Sequence, residues 1–335
     1  MKKTAISLAL ALTLCLALTA CESSSRTGPD PENSEKAPPI PVTVVLDYLP
    51  NTNHTGIYAA RDLGYYAELG LDVTILEPAD NTVTTLIATG NGDFGISYQE
   101  DVTYARAADE PLPIRAVATI IQHNTSAFAT YAPKEILRPR DFEGKVYAGW
   151  GSPAEEAVIA AIMKADGADP AALTYVSSGG GYAALTRNVD IMWFFRAWDG
   201  IFAAREDVPV NYIDLAEFDA RLDYYTPVII ASEAFLAEHP DTVRAFLGAT
   251  RRGYEYAVAN PGAAAEILYR YAPEYELDAL VESQTYLAGQ FIADAPQWGV
   301  MQESVWSGYT EFMTEYGLIA SPVAPEDCMT NEFWG

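Results

Sequence analysis

The sequence predicts an α/β protein folded into two lobes, with the chain crossing between them twice. From Val42 onward, β-branched segments alternate with helical segments, which is typical of parallel sheets covered by helices. A second series of the same kind begins near Lys145. After one further strand at 224–232 the sequence turns almost wholly helical, so we expect this strand to return the chain to the first lobe.

The first 41 residues are predicted to be a targeting segment and a tether. Residues 1–20 join a basic start, MKK, to an apolar run of about 17 residues, which is shorter than the roughly 20 that a membrane-spanning helix needs. The run ends in LTAC, and small residues before Cys21 are typical of the site at which a bacterial lipoprotein is cleaved and acylated. The alternative is an ordinary secretory signal followed by an incidental cysteine. Residues 21–41 are polar and proline-rich, so we predict a lipidated Cys21 on a flexible tether, anchored at the extracytoplasmic face of the cell membrane.

Composition excludes two classes of function. The chain has 20 Lys and Arg against 46 Asp and Glu, a formal net charge of −26. Proteins that bind nucleic acid neutralise phosphates with Lys and Arg, so nucleic acid is not an expected partner. Once Cys15 and Cys21 are set aside, Cys328 is the one thiol left, which excludes an intrachain disulfide and a catalytic cysteine pair.

The first lobe is predicted from residues 42–128 together with 225–335. Runs rich in Val, Ile, Thr and aromatic residues predict its strands, and runs with a helical period predict its helices. The strands are expected at 42–49, 71–77, 93–98 and 114–122; the helices are expected at 55–67, 82–90, 101–109, 233–259, 261–271, 276–288 and 303–317.

The second lobe is predicted from residues 129–224, with SAFATY carrying the chain out of the first lobe and DYYTPVII bringing it back. Its strands are expected at 145–150, 173–178, 188–195 and 210–215, with a helix at 154–167. Open α/β sheets bind ligands beyond the carboxyl ends of their strands. We therefore expect a ligand-binding cleft between the lobes.

Polar and aromatic clusters fall at these strand ends. In the first lobe they are DYLPNTNH, SYQED and QHNTS, and each also suits a turn or a helix cap, with Thr52 or Asn53 as the cap in the first. His54 is expected to be a polar contact or a helix-start residue and not a catalyst. The candidate contacts from this lobe are Asp47, Tyr48, Asn51, His54, Ser97, Tyr98, Gln99 and Asn124.

The clusters of the second lobe are GWGSPAEE and IMWFFRAWDG, followed by DYYTP at the returning crossover. Helix capping explains Ser152 and Glu155 or Glu156 of the first cluster, but not a tryptophan set between two glycines. In the second cluster we expect Phe194 or Phe195 in the core, while the Trp-Asp-Gly end can offer a flat face and a carboxylate to a planar heterocycle. The candidates are Trp150, Ser152, Trp193, Trp198, Asp199 and Tyr224.

Common cofactor and metal motifs are missing from the sequence. It contains no GxGxxG, P-loop, HExxH or GxSxG pattern, and its three histidines show no ligand spacing. We therefore predict no cofactor and no metal.

Several longer motifs resemble one family, the solute-binding lipoproteins of ABC importers. They are LDYLPNTNHTGIYAARDLGYYAELGLDV, DFGISYQEDVTYAR, IIQHNTSAFA, GWGSPAEEA, LDYYTPVII and TNEFWG. More narrowly they resemble the branch that binds thiamine pyrimidine precursors of the formylaminopyrimidine or hydroxymethylpyrimidine type, whose near relatives are thought to bind riboflavin. A binder of an aliphatic sulfonate, from the wider superfamily, is a further alternative.

The resemblance implies a type II periplasmic-binding-protein fold that closes on its ligand by a hinge. It also implies a small heterocyclic ligand, partner permease and ATPase subunits, and a monomeric binding protein. It puts Asp47, Tyr48 and Asn51 in the cleft opposite the Ser97 to Gln99 stretch, and the second-lobe candidates on the far wall.

The fungal thiamine-pyrimidine synthase is similar in fold and offers an enzymatic alternative. In that family a reactive lysine and histidine follow the third strand, where this chain has Ser97 and Asp101. A Schiff base needs a lysine amine, and Lys134, Lys145 and Lys164 lie outside the polar clusters. The sequence therefore favours a binding protein over an enzyme.

Overall fold

The computed structural model of the protein describes residues 37–78, 82–178 and 181–334. The predicted signal peptide at 1–20 and the predicted lipidation site, Cys21, lie outside these residues.

The fold begins slightly earlier than expected. The predicted tether was drawn to Pro41, but Ile40 already pairs with Leu71 along the first strand. The Ile40 N–H also donates to the carbonyl of Gly70 at 2.8 Å. The first strand therefore starts at Ile40 and not at Val42.

Ten strands are formed by the described residues, and most are followed by a helix or a helical turn. They are β1 (Ile40–Val45), β2 (Leu71–Leu76), β3 (Phe94–Ser97), β4 (Ile114–Thr119), β5 (Ser126–Tyr131), β6 (Val146–Gly149), β7 (Thr174–Ser177), β8 (Ile191–Phe195), β9 (Val210–Asp214) and β10 (Val228–Ser232).

Twelve α-helices cover the sheets within the same residues, and none is both long and apolar enough to span a bilayer. They are α1 (Thr55–Asp62), α2 (Tyr65–Glu68), α3 (Val83–Ala88), α4 (Gln99–Ala107), α5 (Pro153–Ala165), α6 (Ile201–Arg205), α7 (Glu233–Glu238), α8 (Pro240–Ala259), α9 (Pro261–Tyr269), α10 (Leu277–Ala288), α11 (Glu303–Glu315) and α12 (Pro325–Cys328).

Two predicted helices are each divided in two. The helix expected at 55–67 breaks at Gly64, whose φ of 79° lies in the left-handed region that glycine adopts easily. The helix expected at 233–259 breaks at His239, because Pro240 has no N–H to continue the first helix and instead begins the second.

The strands form two five-stranded sheets. The first has the order β2-β1-β3-β10-β4 and the second has the order β7-β6-β8-β5-β9. Two sheets, each made mostly from one strand and helix series, agree with the predicted two-lobed α/β fold.

The prediction of purely parallel sheets is wrong for one strand in each sheet. β10 is antiparallel to β3 and β4, and β5 is antiparallel to β8 and β9. Both strands directly follow a crossover, and each begins where its neighbour ends, with Ser126 opposite Phe195 and Val228 opposite Ser97. After each crossover the chain enters the sheet at the cleft and runs away from the cleft. The entering strand is therefore antiparallel to the neighbouring strands, which end at the cleft.

The lobe boundaries also differ from those drawn on the sequence. The boundary predicted after residue 128 falls inside β5, which pairs with the second sheet from Ser126 onward. The C-terminal helix α11 was expected in the first lobe, but its Tyr309 and Phe312 share an apolar core with Phe128 of the second sheet. Helix α11 therefore packs against both lobes.

Candidate functional site

The main cavity lies in the cleft between the sheets and has a volume of about 470 Å³. Its walls come from residues at or just beyond the carboxyl ends of β1 and β3 in the first sheet and of β6 and β8 in the second. The first lobe contributes four of the predicted residues, Asp47, Tyr48, Asn51 and Tyr98. The second lobe contributes four more, Trp150, Trp193, Trp198 and Asp199.

A side cavity of about 390 Å³ adjoins the main one and shares Tyr98, Trp150 and Trp193 with it. Two further predicted residues, Ser152 and Tyr224, line this side cavity. Ten of the predicted residues thus lie in one continuous cleft, and their role as ligand contacts stays a prediction.

His54 and Gln99 were predicted as ligand contacts but line neither of these two cavities. Both side chains are completely buried. His54 Nε2 lies 2.6 Å from Asp47 Oδ1. Gln99 accepts the Tyr225 N–H at 2.8 Å and donates to the Val305 carbonyl at 3.2 Å. Their hydrogen-bonding groups are used inside the first lobe.

Ser97 and Asn124 were also predicted as ligand contacts, and they too line neither of these two cavities. Ser97 is buried in β3, and its hydroxyl faces Asp101 Oδ2 at 3.4 Å. Asn124 lies in the outgoing crossover, where its Nδ2 donates to the Leu222 carbonyl at 3.0 Å. Its backbone N–H donates to Asp223 Oδ1 at 2.8 Å. Asn124 therefore joins the two crossovers through its hydrogen bonds to Leu222 and Asp223.

Asp47 is the acidic centre of the first-lobe wall. Its Oδ1 contacts His54 Nε2, and its Oδ2 accepts the Tyr98 hydroxyl at 2.6 Å. Burial alone would raise the pKa of Asp47, but the adjacent His54 and the hydrogen bonds from His54 and Tyr98 outweigh it and lower that pKa. Asp47 is thus held as a carboxylate at the edge of the cavity.

Asp199 is the acidic centre of the opposite wall. It lies in a π-helical turn, Arg196–Gly200, and its Oδ2 accepts the Phe195 N–H at 2.9 Å. Burial raises its pKa, and the hydrogen bond from Phe195 offsets only part of this rise. The two carboxylates of the cleft therefore differ, because Asp47 has two side-chain partners, whereas the hydrogen bonds to Asp199 come from backbone N–H groups.

Exposed aromatic rings face the cleft from both lobes. Tyr48 is 58% exposed, Trp150 57% and Phe195 41%, although large aromatic side chains are usually buried. The ring of Tyr275 packs edge-on against the ring of Trp198, with the two ring centres 4.8 Å apart. Such flat, accessible faces suit a planar ring, which can be held by stacking on them.

Several residues of the cleft were missed by sequence reasoning. Phe194 is in the core, whereas Phe195 points the other way on the strand and lines both cavities. Thr125 and Thr226 sit at the two crossovers that form the floor of the cleft, so the crossover positions were the available signal. Other lining residues that were missed include Ser178, Met192 and Pro227 in the main cavity and Glu100, Asp101 and Glu155 in the side cavity.

The cleft is acidic. Its carboxylates are Asp47 and Asp199 in the main cavity and Glu100, Asp101 and Glu155 in the side cavity, and no Lys, Arg or His among the described residues lines either one. Burial, together with the neighbouring Asp101, raises the pKa of Glu100 to about 7. An anionic ligand would meet uncompensated negative charge here, whereas an amino group would meet acceptors.

Comparison with known proteins gives a family for the chain. A family model described as "NMT1/THI5 like" matches residues 51–264, which is more than half of the sequence. The chain is 27% identical over 298 residues to the formylaminopyrimidine-binding protein of Halalkalibacterium halodurans, covering 87% of this chain and 89% of that protein. It is 26% identical over 304 residues to the riboflavin-binding protein RibY of Chloroflexus aurantiacus, covering 87% and 85%.

A third relative is named as an enzyme. The 4-amino-5-hydroxymethyl-2-methylpyrimidine phosphate synthase of Legionella pneumophila is 24% identical over 253 residues, covering 70% of this chain and 74% of that protein. Among solved structures, the aliphatic sulphonate binding protein SsuA from Escherichia coli aligns with a TM-score of 0.68 at 12% identity, covering 89% of this chain and 100% of that one. This similarity confirms the predicted periplasmic-binding-protein fold.

Proposed function

We propose, on the premise that the chain belongs to the NMT1/THI5-like family, that it is the solute-binding component of an ABC importer. Its ligand in this proposal is a thiamine pyrimidine precursor of the formylaminopyrimidine or hydroxymethylpyrimidine type. The protein captures the ligand between its two lobes and delivers it to a permease that works with an ATPase. It acts as a monomer at the extracytoplasmic face of the membrane, held there by a lipid on Cys21.

The observation that carries the proposal is the pairing of exposed aromatic faces with carboxylates in a cleft that has no cationic side chain among the described residues. An aminopyrimidine is flat, is uncharged or cationic, and donates hydrogen bonds through its amino group. Tyr48 and Trp150 can stack on its ring, while Asp47 and Asp199 accept from its amino group. The same charge pattern argues against a sulfonate ligand.

The enzymatic alternative is not supported by the position of the lysines. Lys134 is engaged by Asp190 at 2.8 Å, and Lys164 lies over the ring of Tyr316. Neither these two nor Lys145 lines the cleft, so among the residues that the structure describes no lysine amine is placed to react with a carbonyl compound held there. A lysine Schiff base with pyridoxal phosphate would absorb at about 400 nm and would lose this band on treatment with borohydride. After incubation with pyridoxal phosphate, we therefore expect no such band in the spectrum of the protein.

Riboflavin is the second candidate ligand, favoured by the size of the cleft. The side cavity opens beside the main one and would extend the space available to a larger ring system. The relative from Chloroflexus aurantiacus carries riboflavin in its name.

Calorimetry with a soluble form that begins at Ser23 tests the proposal. Formylaminopyrimidine, hydroxymethylpyrimidine, thiamine and riboflavin are titrated separately, with an alkanesulfonate as the anionic control. We expect saturable heat with a pyrimidine precursor and none with the sulfonate. Heat with riboflavin alone would overturn the pyrimidine assignment but keep the transport role, and heat with the sulfonate alone would contradict the charge argument.

A further inference from the structure

The loop Gly149–Trp150–Gly151 carries one of the most exposed aromatic side chains of the cleft. It connects the end of β6 to the start of α5, and the Trp150 ring lines both cavities. Glycines on both sides give a loop backbone many accessible conformations. A stacking surface carried by such a loop needs something else to hold it in place.

The buried carboxylate of Glu155 contacts this loop directly. Glu155 is only 2% exposed. Its Oε2 accepts the Gly151 N–H at 2.7 Å, and its Oε1 lies 3.3 Å from the Trp150 N–H. The hydroxyl of Tyr147 also donates to Oε1. No Lys, Arg or His of the described residues forms an ion pair with it, so its partners are these three donors, two of which belong to the loop.

The backbone of the loop is shaped to accept this carboxylate. A Cβ atom at position 149 would clash with Glu155 Oε1, so the glycine at this position allows the carboxylate its close approach. Gly151 has a φ of 77°, in the left-handed region that glycine tolerates. Trp150 is then directed towards Trp193, with the two ring centres 5.4 Å apart.

Helix capping does not account for the direction of the Glu155 side chain. Ser152 caps α5 by accepting the Glu155 N–H at 3.1 Å. In a capping box the glutamate at this position returns to the backbone N–H of the capping residue itself, which here is Ser152. Instead it reaches past Ser152 to residues 150 and 151. Glu156, in the same helical turn, is exposed and offers a matched comparison.

We propose that Glu155 is a positioning residue, which fixes the loop so that Trp150 presents its ring to the ligand. The inference rests on the proposed function only in taking Trp150 as a ligand-stacking surface. Replacing Glu155 with Gln exchanges one acceptor oxygen for an NH₂ group, which can only donate. This NH₂ group would face a backbone N–H of the loop, so the hydrogen bond from that N–H would be lost.

A double-mutant cycle tests the coupling to ligand binding. The affinity for formylaminopyrimidine is measured in the parent protein, Glu155→Gln, Trp150→Ala and the double variant, with Glu156→Gln as the control. We expect Glu155→Gln to weaken binding about tenfold when Trp150 is present and less than about twofold when it is Ala. An equal loss in both backgrounds, or none in either, would overturn the proposal.

A second measurement needs no ligand. Fluorine NMR of protein labelled with 5-fluorotryptophan reports each indole, and Trp150→Phe assigns its resonance. We expect Glu155→Gln and the shorter Glu155→Asp to shift that resonance, while those of buried Trp298 and Trp306 stay in place and show an intact fold. An unmoved Trp150 resonance in both variants contradicts the positioning role. A moved resonance in a protein that binds no pyrimidine supports it and rejects the ligand assignment alone.

Discussion

His54 holds Asp47 in position from beneath the cleft. Its imidazole is completely buried, and Nε2 lies 2.6 Å from Asp47 Oδ1. The Asn51 backbone N–H points to Nδ1 at 3.3 Å, and because a backbone N–H can only donate, Nδ1 is the acceptor. The ring hydrogen is therefore on Nε2 and is donated to Asp47.

Replacing His54 with Ala should destabilise the fold markedly. The Asp47 carboxylate would keep only its Tyr98 partner while remaining almost wholly buried, and breaking such a buried pair costs about 3 kcal/mol. Urea denaturation measures the change in the free energy of unfolding. The exposed His239 serves as the control, and His239→Ala should change that free energy by less than about 0.5 kcal/mol. Equal effects of the two substitutions would refute the role given to His54.

Tyr98 has two separable roles, a hydroxyl that donates to Asp47 and a ring that forms part of the wall. Tyr98→Phe removes only the hydroxyl and should lower the free energy of unfolding by about 1.5–3 kcal/mol, because the lost hydrogen bond is made to a charged group. Tyr98→Ala removes the ring as well, so it should weaken pyrimidine binding roughly three- to tenfold more than Tyr98→Phe does. Equal affinities of the two variants in calorimetry would argue against stacking on Tyr98.

His123 should make the junction of the crossovers sensitive to pH. Its Nδ1 lies 2.7 Å from Asp223 and its Nε2 3.0 Å from Asp294, and a neutral imidazole can donate to only one of them. Partial burial would lower the pKa of His123, but the hydrogen bonds and charges of Asp223 and Asp294 outweigh it and raise that pKa.

The stabilisation from His123 should therefore be complete below its unfolded pKa, about 6.5, and should be lost as the pH rises through its higher folded pKa. The comparison is between the parent protein and His123→Gln, by urea denaturation at about pH 6 and about pH 9. We expect the larger difference in stability at the lower pH. A difference that grows towards pH 9 would show that the sign is wrong.

Asp199 should control how ligand affinity depends on pH. Burial raises the pKa of Asp199, whereas the pKa of Asp47 is lowered. As the pH falls, Asp199 therefore takes up a proton before Asp47 does. Protonation removes the negative charge that attracts an amino group, so pyrimidine affinity should fall on acidification. Asp199→Asn has no carboxylate to protonate at this position, so its affinity for the pyrimidine should be weak and should change little on acidification.

Glu100 provides the control for this series, because it lies in the adjoining side cavity and its pKa is also raised by burial, to about 7. Glu100→Gln should keep the acid-side loss of affinity that Asp199 causes. If that loss disappears in Glu100→Gln and persists in Asp199→Asn, the carboxylate responsible lies in the side cavity instead.

Much of the fold could be predicted because its signals are local. Alternating apolar strands and periodic helices need only neighbouring residues, and nine of the ten strands overlap segments that were predicted as strands. The exception is β5, whose segment SAFATY was predicted only as a crossover. The direction of β5 and β10 could not be read in this way, since it depends on the chain entering each sheet from the cleft. The division of the long helix at Pro240 was visible in the sequence, but the prediction did not use it.

The sequence by itself determined the residue types of the cleft and where along the chain they fall, because polar and aromatic clusters follow the strands that end there. Which of them line the two cavities depends on the tertiary structure. His54 and Gln99 look as polar as their neighbours, yet both are fully buried. Their partners lie on other segments, such as Val305 for Gln99. A hydrogen bond between residues far apart in sequence leaves no local pattern, so three-dimensional packing alone separates a side chain that reads a ligand from one that supports it.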